Sequence, residues 1–156
     1  MTGRGLLLSE LEWIVGNCCR LFEVIKQEDY GYTPIEGTRT IVELANHLAQ
    51  LPQVDLRIIQ GKQQNEITEL EKSLWREHPK AWGGVMREGM TDLTRFMDQL
   101  SLDDYENDSG TAFFGRTQTY SRWLLEVVTH CYHHRSQLFM YLRLKGYDIG
   151  TRELYS

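Results

Sequence analysis

Apolar residues recur at three- and four-residue steps through four separate segments of the chain, and that rhythm fixes what it can fold into. Leu7, Leu11, Ile14, Val15, Cys18, Leu21, Phe22 and Ile25 mark the first stripe, predicting a helix from about residue 6 to 27. Ile41, Leu44, Ala45, Leu48 and Leu51 mark the second, opened by Thr40 and Glu43 in a capping-box pair. Pro52 either kinks this helix or starts a new first turn, and Val54 to Gln60 continue it. Val85, Met86, Met90, Leu93, Phe96, Met97 and Leu100 mark the third, from about residue 85 to 100, after breaks at His78-Pro79 and Gly83-Gly84. The fourth runs from about Ser121 to Lys145 and stops at Gly146. A polar helical piece fits residues 66–76, and the turn-rich segment 101–119 leaves room for a short extended stretch. Gly16, inside the first stripe, is expected to mark a close contact.

With no reliable alternating pattern for strands, four long helices predict an all-α, four-helix bundle. The 156 residues suit one domain spanning 1–156, with enough chain to bury a core. Hydrophobic residues at 41% and charged residues at 25% argue against disorder. The net charge of −5, without a basic run, argues against nucleic acid as a partner. No segment reaches the roughly 18–20 apolar residues needed to cross a bilayer. Leu6-Leu7-Leu8 is cut short by Glu10 and Glu12, so no signal peptide is read and the expected location is cytoplasmic. Cys18, Cys19 and Cys131 are odd in number and form no C-x-x-C pair, so buried free thiols are expected.

Function hangs on the histidines. His130 and His134 lie four residues apart within the fourth helix, about 400° of turn, and so share a face one turn apart. Two imidazoles at that spacing can chelate one ion. His47, beside the apolar Leu44 and Leu48 of the second helix, is the best third ligand. Three neutral imidazoles suit Zn²⁺, Ni²⁺, Fe²⁺ or Cu²⁺ and leave a coordination position open for water or substrate. The bland alternative is that these are hydrogen-bonded core histidines, because an H-x-x-x-H pair alone is a weak signal. The zincin glutamate is absent: the run reads His130-Cys131-Tyr132-His133-His134. His133 lies about 100° from His134 and is not expected to be a ligand. Glu126, one turn before His130, is the candidate catalytic residue: an acceptor for an imidazole N–H, or a general base near the ion. It could equally pair with Arg122. Tyr132, Tyr141, Trp75, Trp82, Phe113 and Phe114 fit core better than a pocket. Arg39, Arg57 and Arg135 fit solvated or ion-paired roles better than an anion site.

The stretches TIVELANHLAQL, with His47, and LLEVVTHCYHHRSQLFMYLRLKGY, with His130 and His134, resemble the DinB/YfiT-like family of metalloenzymes. The resemblance spans most of the chain. His47, His130 and His134 match the family's three metal ligands. Arg135 and Gln137 match the residues that follow, and Leu142, Arg143 and Gly146 match its trailing motif. Ser136 stands where the family often has glycine, and Glu126 where relatives often carry another polar residue, often histidine. The resemblance implies an up-down-down-up bundle, assembly as a homodimer, and a divalent metal ion (Zn, Ni or Fe). It also implies a metal-dependent thiol S-transferase acting with a low-molecular-weight thiol such as bacillithiol, mycothiol or glutathione, or else a hydrolase, on a small-molecule substrate. Two other readings stand beside it: a metal- or ligand-binding module without turnover, and a purely structural bundle.

Overall fold

Each of the four stripes becomes a long helix in the computed structural model, which describes residues 1–156. These are α1 (Gly3–Glu23), α2 (Ile41–Ile59), α4 (Pro79–Gln99) and α6 (Tyr120–Lys145). Between them lie α3 (Gln64–Leu74), α5 (Leu102–Asn107) and a two-stranded hairpin, β1 (Ser109–Thr111) with β2 (Thr117–Thr119); α7 (Thr151–Tyr155) ends the chain. The stripes meet at a single core, where Leu11, Ile14, Phe22, Leu44, Leu48, Trp82, Met86, Leu93, Leu124 and Leu138 are all shielded from solvent.

Specific contacts set the helix directions. Arg4, at the start of α1, donates to the carbonyls of Met97 and Leu100 at the end of α4, so these two run antiparallel. Gly89 of α4 lies against Gln53 of α2, and Asn46 of α2 bonds Arg76 just before α4, so α2 and α4 run parallel. His47 meets His134 while Asp55 meets His130, so α2 and α6 oppose one another. Arg135 bonds Asn17, and Tyr132 lies against Trp13, so α1 and α6 run together. The order along the chain is therefore up-down-down-up. A parallel α2–α4 pair requires the chain to travel back between them, and α3 packed on α2 makes that return.

Local chemistry explains the ends. Thr40 and Glu43 form the expected reciprocal cap: the Thr40 N–H donates to Glu43 at 2.8 Å and the Glu43 N–H donates to Thr40. Gly146 stops α6 with φ of 103°, a left-handed conformation favourable only to glycine. Pro52 does not break α2; its neighbours Leu51, Val54 and Leu56 are buried and hold the helix through the lost hydrogen bond.

Three expectations need correction. The third helix starts at Pro79 rather than Val85, with Pro79 in its first turn. Trp82, fully buried between Phe22 and Tyr30, anchors that turn, and the Gly83-Gly84 pair is carried inside the helix. The first helix ends at Glu23, with a short 3₁₀ turn at Gln27–Asp29 beyond it. Gly16 marks no close contact: a Cβ there would meet only Arg20, at 3.7 Å. The close approaches are at Gly89, where a Cβ would lie 2.7 Å from the Gln53 backbone nitrogen, and at Gly110, where it would lie 2.6 Å from the Ile59 carbonyl oxygen.

The three cysteines are free and buried, as expected. No helix is long and apolar enough to cross a membrane.

Candidate metal centre

The antiparallel pairing of α2 and α6 brings His47 to His130 and His134. The Nε2 atoms of His47 and His134 are 3.1 Å apart, and so are those of His134 and His130. One nitrogen from each ring lies within 4.8 Å of the other two. A tetrahedral ion with metal–nitrogen bonds of about 2.05 Å separates its ligands by roughly 3.3 Å. The observed spacing is close to that.

The outer nitrogens are held in place. His130 Nδ1 donates to Asp55 Oδ2 at 3.0 Å, and His134 Nδ1 donates to the Gln137 amide oxygen at 2.6 Å. Each bond puts the proton on Nδ1 and turns an Nε2 lone pair inward. Ring nitrogens 3.1 Å apart need either a proton or a metal cation between them. The donor set therefore fits a divalent metal ion, with room for a further ligand.

The electrostatics agree. Burial, together with the Arg39 charge and the neighbouring imidazoles, pulls His47 down to about 3. Burial likewise pulls His134 down to about 4, against the opposing Gln137 hydrogen bond. Both are neutral at physiological pH, as ligands must be. Burial pulls His130 down too, but the Asp55 hydrogen bond and charge outweigh it and leave it above the usual histidine range. Burial pushes the Asp55 carboxyl up, only partly offset by His130.

The cluster sits between two spaces. On the His47 side is an open, polar cleft of about 590 Å³, with Arg39, Asn46, Gln50, Lys72 and Trp75 among its walls. On the His130 side is a smaller, more enclosed cavity of about 140 Å³.

The remaining candidates fall outside the donor set. Glu126 faces the smaller cavity; its carboxylate accepts a hydrogen bond from Arg116 Nη1 at 3.0 Å and one from Gln118 at 2.8 Å, and forms an ion pair with Arg116 Nη2 at 3.0 Å. Its cationic partner is Arg116 of the hairpin, not Arg122. His133 is exposed, although its ring lies 4.7 Å from that of His134. Arg135 turns away into the α1–α6 interface, donates to Asn17 and the Leu154 carbonyl, and lies under Tyr132. Trp82 is core, but Trp75 and Phe114 are largely exposed and line the two spaces. Asp55 was not singled out by spacing. Its signal was a lone carboxylate in the otherwise apolar run Val54-Asp55-Leu56, eight residues beyond His47 on the same helix.

The DinB family model matches residues 1–152. The chain belongs to the DinB family. A DinB family member from Exiguobacterium sibiricum shares 31% identity, covers 98% of both chains and superposes with a TM-score of 0.83. A DinB-like protein from Bacillus cereus shares 17% identity over 93% of this chain and 95% of the other, with a TM-score of 0.71. The same fold extends to a mycothiol-dependent maleylpyruvate isomerase: 17% identity, TM-score 0.57, covering 86% of this chain and 60% of the isomerase. No curated protein matches the chain significantly.

Proposed function

We propose that this DinB family protein is a metal-dependent enzyme that transfers a low-molecular-weight thiol, with His47, His130 and His134 holding one divalent ion. The observation that carries the reading is the convergence of three Nε2 atoms, two of them oriented by outer hydrogen bonds from Asp55 and Gln137. When bound, such an ion supplies Lewis acidity and lowers the pKa of a thiol or water in its open position.

The chain's own residues favour thiol transfer over hydrolysis. Asp55 is committed to His130, and the other carboxylate near the cluster, Glu126, is held by Arg116 and Gln118, so activating water would rest on a paired carboxylate. Acidifying a thiol makes less demand on a separate base. The sulfur must come from a substrate: Cys18 and Cys131 are fully buried, and burial pushes both thiols far up. Arg39 and Lys72, facing Glu43 and Glu71 in the polar cleft, suit a water-soluble thiol that carries charges of both signs. Glu126, on the wall of the smaller cavity, takes the proton-handling role. The likeness to a mycothiol-dependent isomerase supports the thiol class. The reading carries with it a cytoplasmic location, where such thiols stay reduced, and a homodimer.

Elemental analysis beside a His47/His130/His134 triple-alanine variant is the test, followed by a screen of glutathione, mycothiol and bacillithiol against electrophiles. One metal per chain, lost in the variant, with thiol turnover that also disappears in His130→Ala, is the expected result. Full activity in His130→Ala sinks the proposal. One metal per chain with no turnover points instead to a non-catalytic binding module.

A further inference from the structure

The smaller cavity is built unlike the polar cleft on the other side of the histidines. Ile58, Phe114, Trp123 and Val127 form its apolar walls, and His130, Asp55 and Glu126 form its polar end. Its volume of about 140 Å³ is close to the roughly 150 Å³ apolar cavity that accepts a benzene ring. One wall comes from outside the bundle. Phe114 stands at the tip of the β1–β2 hairpin, next to Gly115, whose φ of 87° turns the chain. Phe114 is more than half exposed, so its side chain is free to pack against an occupant of the cavity it borders.

The hairpin is pinned where it must be to place that ring. Gly110 lies against the Ile59 carbonyl and accepts the Trp123 indole N–H at 3.0 Å. Arg116 and Gln118 fasten β2 to Glu126. The base of the hairpin is therefore fixed on α2 and α6, and the Phe114 ring borders the opening.

We infer that this cavity is the subsite for the second reactant, and that it selects a small, apolar group of about one ring, with Phe114 as a specificity-determining residue. The inference rests on the thiol-transfer reading above. Glu126 is already paired with Arg116 and Asp55 with His130, so the apolar walls select the occupant; the charged thiol keeps to the polar cleft, and the two reactants are sorted to opposite sides of the histidine cluster. The reacting end of the apolar partner then points toward His130, while its ring packs among Ile58, Trp123, Val127 and Phe114.

Benzyl alcohol and glycerol are the probes, one alcohol with an apolar ring and one without, added to zinc-loaded ¹⁵N-labelled protein. The readout is the Trp123 indole N–H resonance, since that indole is part of the cavity wall. Benzyl alcohol is expected to shift it saturably, with glycerol at least tenfold weaker. Ile58→Phe, which fills the half-buried edge of the cavity, is expected to abolish the shift while keeping one zinc per chain. Phe114→Ala, a substitution on an exposed ring that leaves the fold intact, is expected to weaken benzyl alcohol about fivefold or more. A silent Trp123 resonance with zinc in place overturns the inference and leaves the metal reading standing, as does equal binding of glycerol. A shift that persists when no zinc can be bound supports the cavity as a site and overturns the metal reading instead.

Discussion

At the scale of single residues, the site depends on protons being in the right places. Asp55 holds the His130 Nδ1 proton, and its side chain is only 15% exposed. Asp55→Ala would leave that N–H without its acceptor and free the ring to turn. The expected effect is a loss of zinc affinity of roughly 10- to 100-fold with stoichiometry unchanged, as outer-ligand removal typically gives. A chelator-competition titration measures it, and an unaltered dissociation constant would refute the role. His47 and His134 make a second prediction. Their folded pKa values, about 3 and about 4, lie below the ordinary histidine value of 6.5. As pH falls below 6.5 the unfolded chain takes up protons that these two folded residues refuse. Their contribution to stability is thus complete above about pH 6.5 and is lost progressively as pH falls through 4 and then 3. The raised His130 and Asp55 act in the opposite sense, so the test is a difference: the change in urea midpoint of metal-free protein between pH 7 and pH 4.5 should be less unfavourable to acid in His134→Ala than in the unaltered chain, and an identical change contradicts it. The grouping of His130 with His134 was legible because four-residue spacing on a helix is local geometry, and His47 joined them through its place on the second helix and the family resemblance. Asp55 was not legible, because its partner is 75 residues away and only the packing of α2 on α6 joins them.

At the scale of elements, what reads from sequence is periodicity, and what escapes is whatever tertiary packing overrides. The stripes of α1, α2, α4 and α6 were clear, as was the cap at Thr40. The Gly83-Gly84 pair looked like a break because glycine is a poor helix former, yet buried Trp82 holds the turn there. Strands of three residues and the five-residue α7 are too short to set up a period. Helix α4 offers a controlled contrast between its glycines. Gly89→Ala would put a methyl 2.7 Å from the Gln53 backbone nitrogen and force α2 and α4 apart, costing about 1–3 kcal/mol. Gly84 is exposed with nothing within 4 Å of a Cβ, so Gly84→Ala should stabilise by about 0.5–1 kcal/mol. Thermal midpoints moving in opposite directions would bear this out; a fall in both would show that the glycine pair does more than helix propensity accounts for.

For the whole molecule, the stripes announce four helices but not their directions, because a period of 3.6 carries no information about which end packs against which. Up-down-down-up came from the family resemblance, and contacts such as Arg4 with Leu100 and Asp55 with His130 now explain it. That topology has a thermodynamic consequence. His47 is on α2 and the other two ligands are on α6, so an ion bound by all three joins elements far apart in the chain. The unfolded chain cannot present them together, and binding therefore adds directly to the folding free energy. With free metal at a hundred times its dissociation constant, linkage supplies about 2.7 kcal/mol. For a domain of this size that is a rise of roughly 5–10 °C in the thermal midpoint. Stripping the metal with a chelator should lower the midpoint by that amount, and added zinc should restore it. In His47→Ala the remaining pair lies on α6 alone, so the restoring effect of zinc should largely vanish although two ligands survive. If His47→Ala still gains the full increment, the stabilising ion binds within α6 alone, and the bundle owes nothing to a metal bridge between its helices.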